Sequence, residues 1–482
     1  MSGIMASLGN SANALNVLEQ ALAVVQNNVD NSSTPGYAAQ QLNIEALPFD
    51  VATGAGGGVT SAGLHSSRDQ YLDSAVQSQV QTLGLYTAQA QATGTIQSFF
   101  DVTGNSGVAS ALSNLYSAFS AWATSPNDTT AQQSVISGAG AVASAFQGLS
   151  NSLDTISGQI GQQAGTTVTQ INNLAAQIAQ YNVGALKNSR QPDPGADAQL
   201  EANLESLSQL VNFTALKQAD GTVTVLIGGG GTPLVLGSQQ YSVSAQNGVV
   251  TIPPPANPNS PPTSQILDSQ GNDITADITG GKLGGLLNAR NTVLAAIIGD
   301  GQQAGSLNQL AKGLADTVNQ ILESGTVSTA PGAAAGIPLF TYDASDATAT
   351  AGSLAVNPAI TGSQLAPADA SGNANGNANL LATLANPSGG PGSIGGLSYT
   401  QYFGQIAAFV GQQSATAQNN QTSQQTVVTQ AQSLQSQISG VSLNSSAAQL
   451  LQLQNAYEAV SRVLTVVNSL ADNIIGLIPQ NQ

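Results

Sequence analysis

The chain has 482 residues, of which 41% are hydrophobic and only 4% aromatic, so its cores are expected to be aliphatic and thin. Charged residues make up 7% of the sequence, against about 25% in an ordinary soluble domain, and 8 Lys and Arg against 25 Asp and Glu give a net charge of −17. No more than two basic residues fall close together, which argues against nucleic-acid binding and against docking on an anionic membrane. The lack of cysteine and the single histidine argue against disulfides, thiol nucleophiles and the usual transition-metal sites.

The first predicted element is a helix with a narrow apolar stripe, over about residues 7–29. Its apolar residues recur with heptad spacing, which is typical of a helix–helix seam. The stripe consists of Leu8, Leu15, Leu18, Leu22, Val25 and Val29. Thr34-Pro35-Gly36-Tyr37 follows, and its central Pro and Gly favour a type II turn.

The middle of the chain alternates between helical and irregular patterns. Residues 41–67 are Gly-rich and show little periodicity, so we expect a connector. Short alternating apolar runs between turn residues predict a small β domain over residues 212–280. Residues 325–395, rich in Ala, Gly, Asn and Pro, are expected to form an irregular insert. Helical spacing elsewhere predicts one helical domain assembled from residues 68–211, 281–324 and 396–440.

A second heptad helix closes the chain. Its apolar positions are Leu450, Leu453, Tyr457, Val460, Leu464, Val467 and Ile474. A stripe two residues per heptad wide is the pattern of a helix–helix seam, although an apolar stripe also serves an ordinary core. We therefore expect residues 1–40 and 441–482 to pair as a coiled-coil assembly domain and to offer their remaining apolar surface to other copies. The expected fold is mixed but mainly α: an elongated multidomain rod with a terminal coiled coil, a helical bundle and an inserted small β domain.

Candidate chemical sites are few. His65 and Asp69 lie four residues apart. They could act as a general base and the carboxylate that orients it only if a nucleophilic serine lay nearby, and the sequence has no G-x-S-x-G elbow. Asp268, Asp273 and Asp277 supply hard oxygen ligands, but their spacing does not fit a 12-residue calcium loop, so turn chemistry is the better interpretation. The sequence thus predicts a protein without catalytic residues, cofactor or metal.

Two motifs resemble the flagellar rod, hook and hook-associated axial protein family. The segment from Asn28 to Tyr37 is similar to its N-N-x-A-N-x-x-T-P-G-Y signature, through Asn28, Asn31, Thr34, Pro35, Gly36 and Tyr37. The last helix is similar to the shared Q-x-A-Y-x-A core, through Gln454, Ala456 and Ala459 around Tyr457. Residues 280–290, with the sequence GGKLGGLLNAR, resemble a segment of the hook-associated protein 1 members of that family.

This resemblance implies a structural, non-enzymatic subunit that forms a ring at the distal end of the hook. It also implies export by the flagellar type III route without a cleaved signal peptide, and an extracellular location. The implied partners are copies of the chain, the hook protein, the second junction protein and an export chaperone on the C-terminal helix; nucleic acid and membrane insertion are not expected. A hook or rod protein is the alternative within the family, and a secreted adhesin or cell-wall hydrolase exported by the flagellar route is the alternative outside it.

Overall fold

The computed structural model describes residues 2–48, 57–101, 106–187, 193–229, 231–248, 263–387 and 392–476. The helices are α1 Ser2–Asp30, α2 Gln70–Gln97, α3 Gly107–Thr124, α4 Thr129–Lys187, α5 Pro194–Leu210, α6 Gly281–Asn288, α7 Ala295–Ile298, α8 Ser306–Glu323, α9 Thr350–Ser353, α10 Gly376–Thr383, α11 Tyr399–Ser439 and α12 Leu443–Gly476. The strands are β1 Gln40–Ala46, β2 Val59–Ser66, β3 Phe213–Lys217, β4 Val223–Ile227, β5 Thr232–Leu236, β6 Gln239–Gln240, β7 Ser244–Asn247, β8 Ser264–Leu267, β9 Phe340–Thr341, β10 Ala355–Val356, β11 Ser393–Ile394 and β12 Leu397–Ser398. The mainly helical character and the small antiparallel β part are as the sequence predicts.

Helix α4 is the longest of the described helices, and many of the other elements pack against it. Its 59 residues span about 88 Å at 1.5 Å per residue. One side of α4 is apolar along most of its length, and Val135, Phe146, Leu153 and Ile171 are fully buried there. Helix α3 packs against α4 around Gly138, and α5 packs against α4 around Tyr181, whose hydroxyl donates to Asp197 at 2.6 Å.

Three helices begin at side-chain caps that the sequence encodes. Asp69 accepts hydrogen bonds from the first free N–H groups of α2, and Asp193 does the same for α5, where Pro194 follows at the first helical position. Ser398 and Gln401 form a reciprocal capping box at the start of α11. Each cap satisfies backbone donors that have no partner within the helix.

The glycine-rich segment before Arg290 allows helices to approach closely. Gly281 has φ +66°, and a Cβ atom on it would lie 2.2 Å from the backbone nitrogen of Val211. A Cβ on Gly285 would lie 2.5 Å from the carbonyl oxygen of Leu85. Helix α6 therefore packs directly on the backbone of α2 at Gly285 and on the end of α5 at Gly281, and a larger residue at either position would push that neighbouring backbone away.

The β part lies on the second half of α4. Strands β3, β4, β5 and β6 form one antiparallel sheet in chain order, and β7 pairs with β8 in a separate hairpin. Val225 and Ile227 of β4 point inward and are fully buried. The side-chain amide of Asn182 on α4 donates to the carbonyl of Val223 at 2.8 Å and accepts from its N–H at 2.8 Å. The sheet thus shares one continuous hydrophobic core with the helices.

Residues 325–395, expected to form an irregular insert with at most short strands or helices, contain only short regular elements where the structure describes them. They contain α9, α10 and three short strands, and Leu339, Phe340 and Leu381 enter the same core as α3 and α4. The sequence of this segment does not show that these residues are buried, because their burial is created by helices that are distant along the chain.

Residues 41–67, expected to be a connector, also carry regular structure. Strands β1 and β2 form an antiparallel hairpin in which Leu42 pairs with Leu64, with an irregularity in register between Asn43 and Ile44. That register shift breaks the two-residue periodicity by which a strand is recognised in the sequence. Among the described helices, none is long and apolar enough to span a bilayer.

Candidate assembly interface at the chain termini

The two terminal helices lie against each other, α1 on α12. On α12 the half-buried side chains follow the heptad pattern, and they include every position of the stripe identified in the sequence. These are Leu450, Leu453, Tyr457, Val460, Leu464, Val467 and Ile474. The Tyr457 hydroxyl donates to a carboxylate oxygen of Glu19 at 3.1 Å, and this hydrogen bond raises the pKa of Tyr457. The pairing joins the two ends of the chain.

Helix α1 is buried along a line that lies beside its predicted stripe. Only Val25 of that stripe is buried, together with Val17 and Ala21, which the heptad pattern does not include. The other stripe residues are half-buried: Leu8, Leu15, Leu18, Leu22 and Val29. The difference arises because α1 contacts the β1–β2 hairpin as well as α12, so two of its faces are covered.

Helix α12 carries a second apolar face, which we call the outer stripe: Ala459, Val463, Val466 and Leu470. The spacing of four, three and four residues places these side chains on one side of the helix, about 100° from the seam. Val463 is 51% exposed, Val466 is 59% exposed and Leu470 is 51% exposed. Nothing in the described parts of the chain covers this face, so the folded monomer presents an unpartnered apolar strip.

Asn28 fixes the end of α1 to the hairpin. Its Nδ2 donates to the carbonyl of Gln40 at 2.7 Å, and its Oδ1 accepts from the N–H of Gln40 at 2.9 Å. The Tyr37 hydroxyl also donates to Asn28 Oδ1, at 3.0 Å. Because Asn28 is 5% exposed, these bonds satisfy groups that water does not reach.

The Thr34–Tyr37 turn packs on α5. The N–H of Tyr37 donates to the carbonyl of Thr34 at 3.1 Å, and Gly36 has φ +72°, as a type II turn requires. A Cβ atom on Gly36 would lie 2.4 Å from the carbonyl oxygen of Ala198 in α5. Asn31 supports the turn by accepting from the Thr34 hydroxyl at 3.1 Å, while Pro35 is exposed at its corner. The motif residues thus join the terminal helix pair to the helical domain.

A polar cluster lies beneath this turn. Arg68 forms an ion pair with Asp73 at 3.1 Å and a longer one with Glu201 at 3.7 Å, and its guanidinium also donates to the carbonyl of Gly36. Burial raises the pKa of Glu201 to about 7; Arg68 acts against that rise and Asp73 adds to it. These groups connect the turn, α2 and α5.

Comparison with known proteins identifies the group to which this architecture belongs. The sequence profile described as "Flagellar hook-associated protein FlgK helical domain" matches residues 93–340, which is more than half of the chain. The chain belongs to the flagellar hook-associated protein FlgK family. A second profile, "Flagellar basal body rod FlgEFG protein C-terminal", matches residues 430–477, which include α12. It is therefore a structural protein of the bacterial flagellum.

Two relatives, both named flagellar hook-associated protein 1, support the same placement. Flagellar hook-associated protein 1 of Bacillus subtilis (strain 168) is 25% identical, and the match covers 98% of both chains. The protein of the same name from Salmonella typhimurium is 27% identical over 65% of this chain, and the match spans only 56% of that relative. A solved structure, "The structure of the flagellar hook junction protein FlgK from Burkholderia pseudomallei", is 26% identical over 57% of this chain and 47% of that one, with a TM-score of 0.47.

The other candidate residues are either exposed or bonded within caps and turns. His65 is exposed on β2, and Asp69 caps α2. Asp268 accepts from the N–H groups of Gln270 and Asn272, both at 2.8 Å, and its bonds with Asn272 lower its pKa. Asp273 accepts in the same way from Thr275 at 2.9 Å. Across the ranges that the structure describes, no three His, Cys, Asp or Glu residues gather as a metal site would require.

Gln454 and Ala459 of the C-terminal motif are exposed, while Ala456 is half-buried. Arg68 and Glu201 do not stand out in the sequence, although the position of Arg68 is one available signal. Arg68 is the only Lys or Arg among the first 186 residues, so any buried carboxylate in that part of the chain has a single candidate partner. Glu201 lies 133 positions later, and only the folded chain brings it beside Arg68.

Proposed function

We propose that this chain joins the hook of the bacterial flagellum to its filament, by assembling with copies of itself into a ring at the distal end of the hook. Membership of the FlgK family supports the role at the junction. The observation that carries the assembly step is the outer stripe of α12, which the monomer leaves uncovered after α1 has packed along the seam.

The energy available at this stripe is too small to hold two subunits together by itself. Fully burying a Val or Leu side chain contributes roughly 1.5–3 kcal/mol, and these side chains are about half exposed, so each adds on the order of 1 kcal/mol. Association of two free proteins costs roughly 4–15 kcal/mol in lost translational and rotational freedom. One contact of this size is too weak alone, and every subunit that joins a ring pays the same association cost, so ring formation also needs the contacts that the subunits make with the hook on which the ring assembles. The isolated chain is therefore expected to be monomeric.

The same surface accounts for the proposed partners. The hook protein and the second junction protein meet the ring on its two sides, and the terminal helices of neighbouring subunits pack along its axis. Before assembly, an export chaperone covers the apolar face of the C-terminal helix, since that face is exposed in the monomer. The chain reaches the outside of the cell by the flagellar type III route.

The test is deletion of the gene followed by complementation. Electron microscopy of the deletion strain should show bare hooks, with flagellin shed into the medium. Wild-type chain should restore filaments, and Val466→Asp should not, because it places a carboxylate on the outer stripe. Asn468→Asp, which adds the same charge at an exposed polar position of the same helix, is the matched control and should restore them.

Two outcomes would contradict the proposal. Absent hooks in the deletion strain would indicate a hook or rod protein instead. Normal, motile flagella would indicate a secreted adhesin or cell-wall hydrolase. Filaments restored by Val466→Asp as fully as by Asn468→Asp would leave the junction role intact but remove the outer stripe from the assembly.

A further inference from the structure

The joint between the terminal helix pair and the helical domain contains four charged side chains, which we call the joint cluster: Arg68, Asp73, Glu201 and Glu205. Arg68 and Asp73 lie at the start of α2, and the two glutamates lie one turn apart on α5. Exposure of the side chain is 12% for Arg68, 6% for Asp73 and 17% for Glu201. The cluster is thus largely shielded from water, around a small cavity of about 220 Å³.

Amide side chains close the cluster from α11 and α2. Gln435 donates to Asp73 Oδ1 at 2.6 Å, and Gln432 donates to Glu205 Oε1 at 3.3 Å. Gln77 donates to Glu201 Oε2 at 3.5 Å, the longest of the three bonds. Helix α11 contributes no charged residue here, so it cannot balance the carboxylates.

The charges in this joint do not balance. One guanidinium faces three carboxylates. Two further charges act on Glu201 in opposite directions, since Lys217 of β3 lowers its pKa and Asp197 of α5 raises it. Arg68 is closer to Asp73 than to Glu201, by 3.1 Å against 3.7 Å, so Glu201 is the less compensated carboxylate. Burial, reinforced by Asp73 and Asp197, raises its pKa to about 7, and Arg68 and Lys217 limit that rise.

We propose that Glu201 is a proton-sensitive latch of this joint: the terminal helix pair is held against the helical domain when Glu201 is protonated, and the joint loosens when Glu201 is ionised. The ionised carboxylate is stabilised by water that only an opened joint admits. Protonation removes the negative charge, so the side chain no longer needs water to stabilise it. Arg68 then keeps its bonds to Asp73 and to the carbonyl of Gly36, which still fasten the Thr34–Tyr37 turn.

The connections of the cluster explain why one proton affects the whole terminal pair. Helix α12 follows α11 after only three residues, and α11 ends on this cluster through Gln432 and Gln435. On the other side, the N–H of Ala39 donates to the carbonyl of Ser439 at 2.9 Å. The segment that leaves α1 and the segment that leads to α12 therefore both pass through the joint, and both move when it opens.

The experiment measures the width of a distance distribution between two spin labels on the isolated, full-length chain. The sequence contains no cysteine, so Gln170→Cys on α4 and Gln449→Cys on α12, both at exposed positions, give a single labelled pair. The distribution should be narrow at pH 5.5 and broad at pH 8.5, with the change centred near pH 7, where Glu201 titrates. Glu201→Gln should keep it narrow at both values, since glutamine is uncharged and similar in shape.

Glu458→Gln is the matched control, because it removes one carboxylate from an exposed i,i+4 pair with Arg462 on α12. It should keep the wild-type pH response. If the width of the distribution does not change with pH in the wild-type chain, the proposal is wrong. This result needs no variant, so it stands even if Glu201→Gln fails to fold. A Glu201→Gln protein with the wild-type response would equally overturn the proposal. The readout uses monomeric chain and is independent of whether a ring forms.

Discussion

Substitution of Asn28 by Asp isolates the clamp between the end of α1 and the hairpin. The change keeps the shape of the side chain and its acceptor oxygen, but it replaces the donor that bonds the carbonyl of Gln40 at 2.7 Å. A carboxylate then faces that carbonyl at a position only 5% exposed. One lost hydrogen bond contributes about 0.5–1.5 kcal/mol, and a buried group left without a partner adds about 1–3 kcal/mol.

The expected local destabilisation is therefore about 1.5–4.5 kcal/mol. At about 1.4 kcal/mol per factor of ten, this corresponds to roughly 10- to 1,600-fold faster hydrogen exchange. Hydrogen exchange should show this acceleration at the amides of residues 40–46 and 59–66. Amides of α3 and α4 should keep their rates, because their core lies away from α1 and the hairpin. The assay thus separates local opening from global unfolding.

Asn27→Asp is the matched control. Asn27 is exposed, and it accepts from Asn31 and, at 3.3 Å, from the Tyr37 hydroxyl, so a carboxylate there keeps these acceptor roles. Its exchange rates should stay within a few-fold of wild type. Equal acceleration in the two variants would refute the clamp and would point to a general effect of added charge. Acceleration spread over α3 and α4 would refute the local nature of the joint.

Three further predictions concern the seam, the core and pH. Leu464→Asp should separate α12 from α1 and abolish filament restoration, while the melting temperature of the helical domain stays unchanged; restored filaments would exclude a role of the seam. Phe146→Ala should lower the free energy of unfolding by about 3–5 kcal/mol in urea, read by the fluorescence of buried Trp122, whereas Tyr71→Ala, at an 82% exposed position, should have little effect. The pKa of Glu201 in the folded chain is about 7, above its ordinary value of 4.5. Protonation of Glu201 therefore contributes its full stabilisation of the fold below pH 4.5, and this contribution is lost as the pH rises to 7. Urea midpoints between pH 4.5 and 8 should fall less in Glu201→Gln than in wild type; parallel curves would assign the loss to other groups.

Much of the helical framework follows from local pattern. The start of α5 at Pro194, after Asp193, and the start of α11 at Tyr399, after Ser398, are fixed by caps that any reader of the sequence can find. The heptads of α12 likewise appear as the half-buried positions of the folded helix, because a 3.5-residue repeat can meet a neighbouring helix along only one line. These elements depend on neighbours within a turn or two along the chain.

The parts that local pattern does not show depend on contacts between distant segments. The β1–β2 hairpin lacks a clean two-residue alternation because its register is interrupted, so its identity depends on pairing. Residues 325–395 are weakly patterned, yet Phe340 becomes buried because α8 and the rest of the core surround it. Burial of this kind is a property of the assembled fold.

The sequence by itself determined the long helices, the type II turn at Gly36 and the apolar seam of α12, because each rests on the backbone preferences and spacing of nearby residues. Only the tertiary structure decided that α1 would be buried along Val17, Ala21 and Val25, since that line is set by having two neighbours instead of one. It also decided the joint cluster. Arg68 and Glu201 meet because α2 and α5 pack side by side, and the pKa of Glu201 is set by the water that this packing removes.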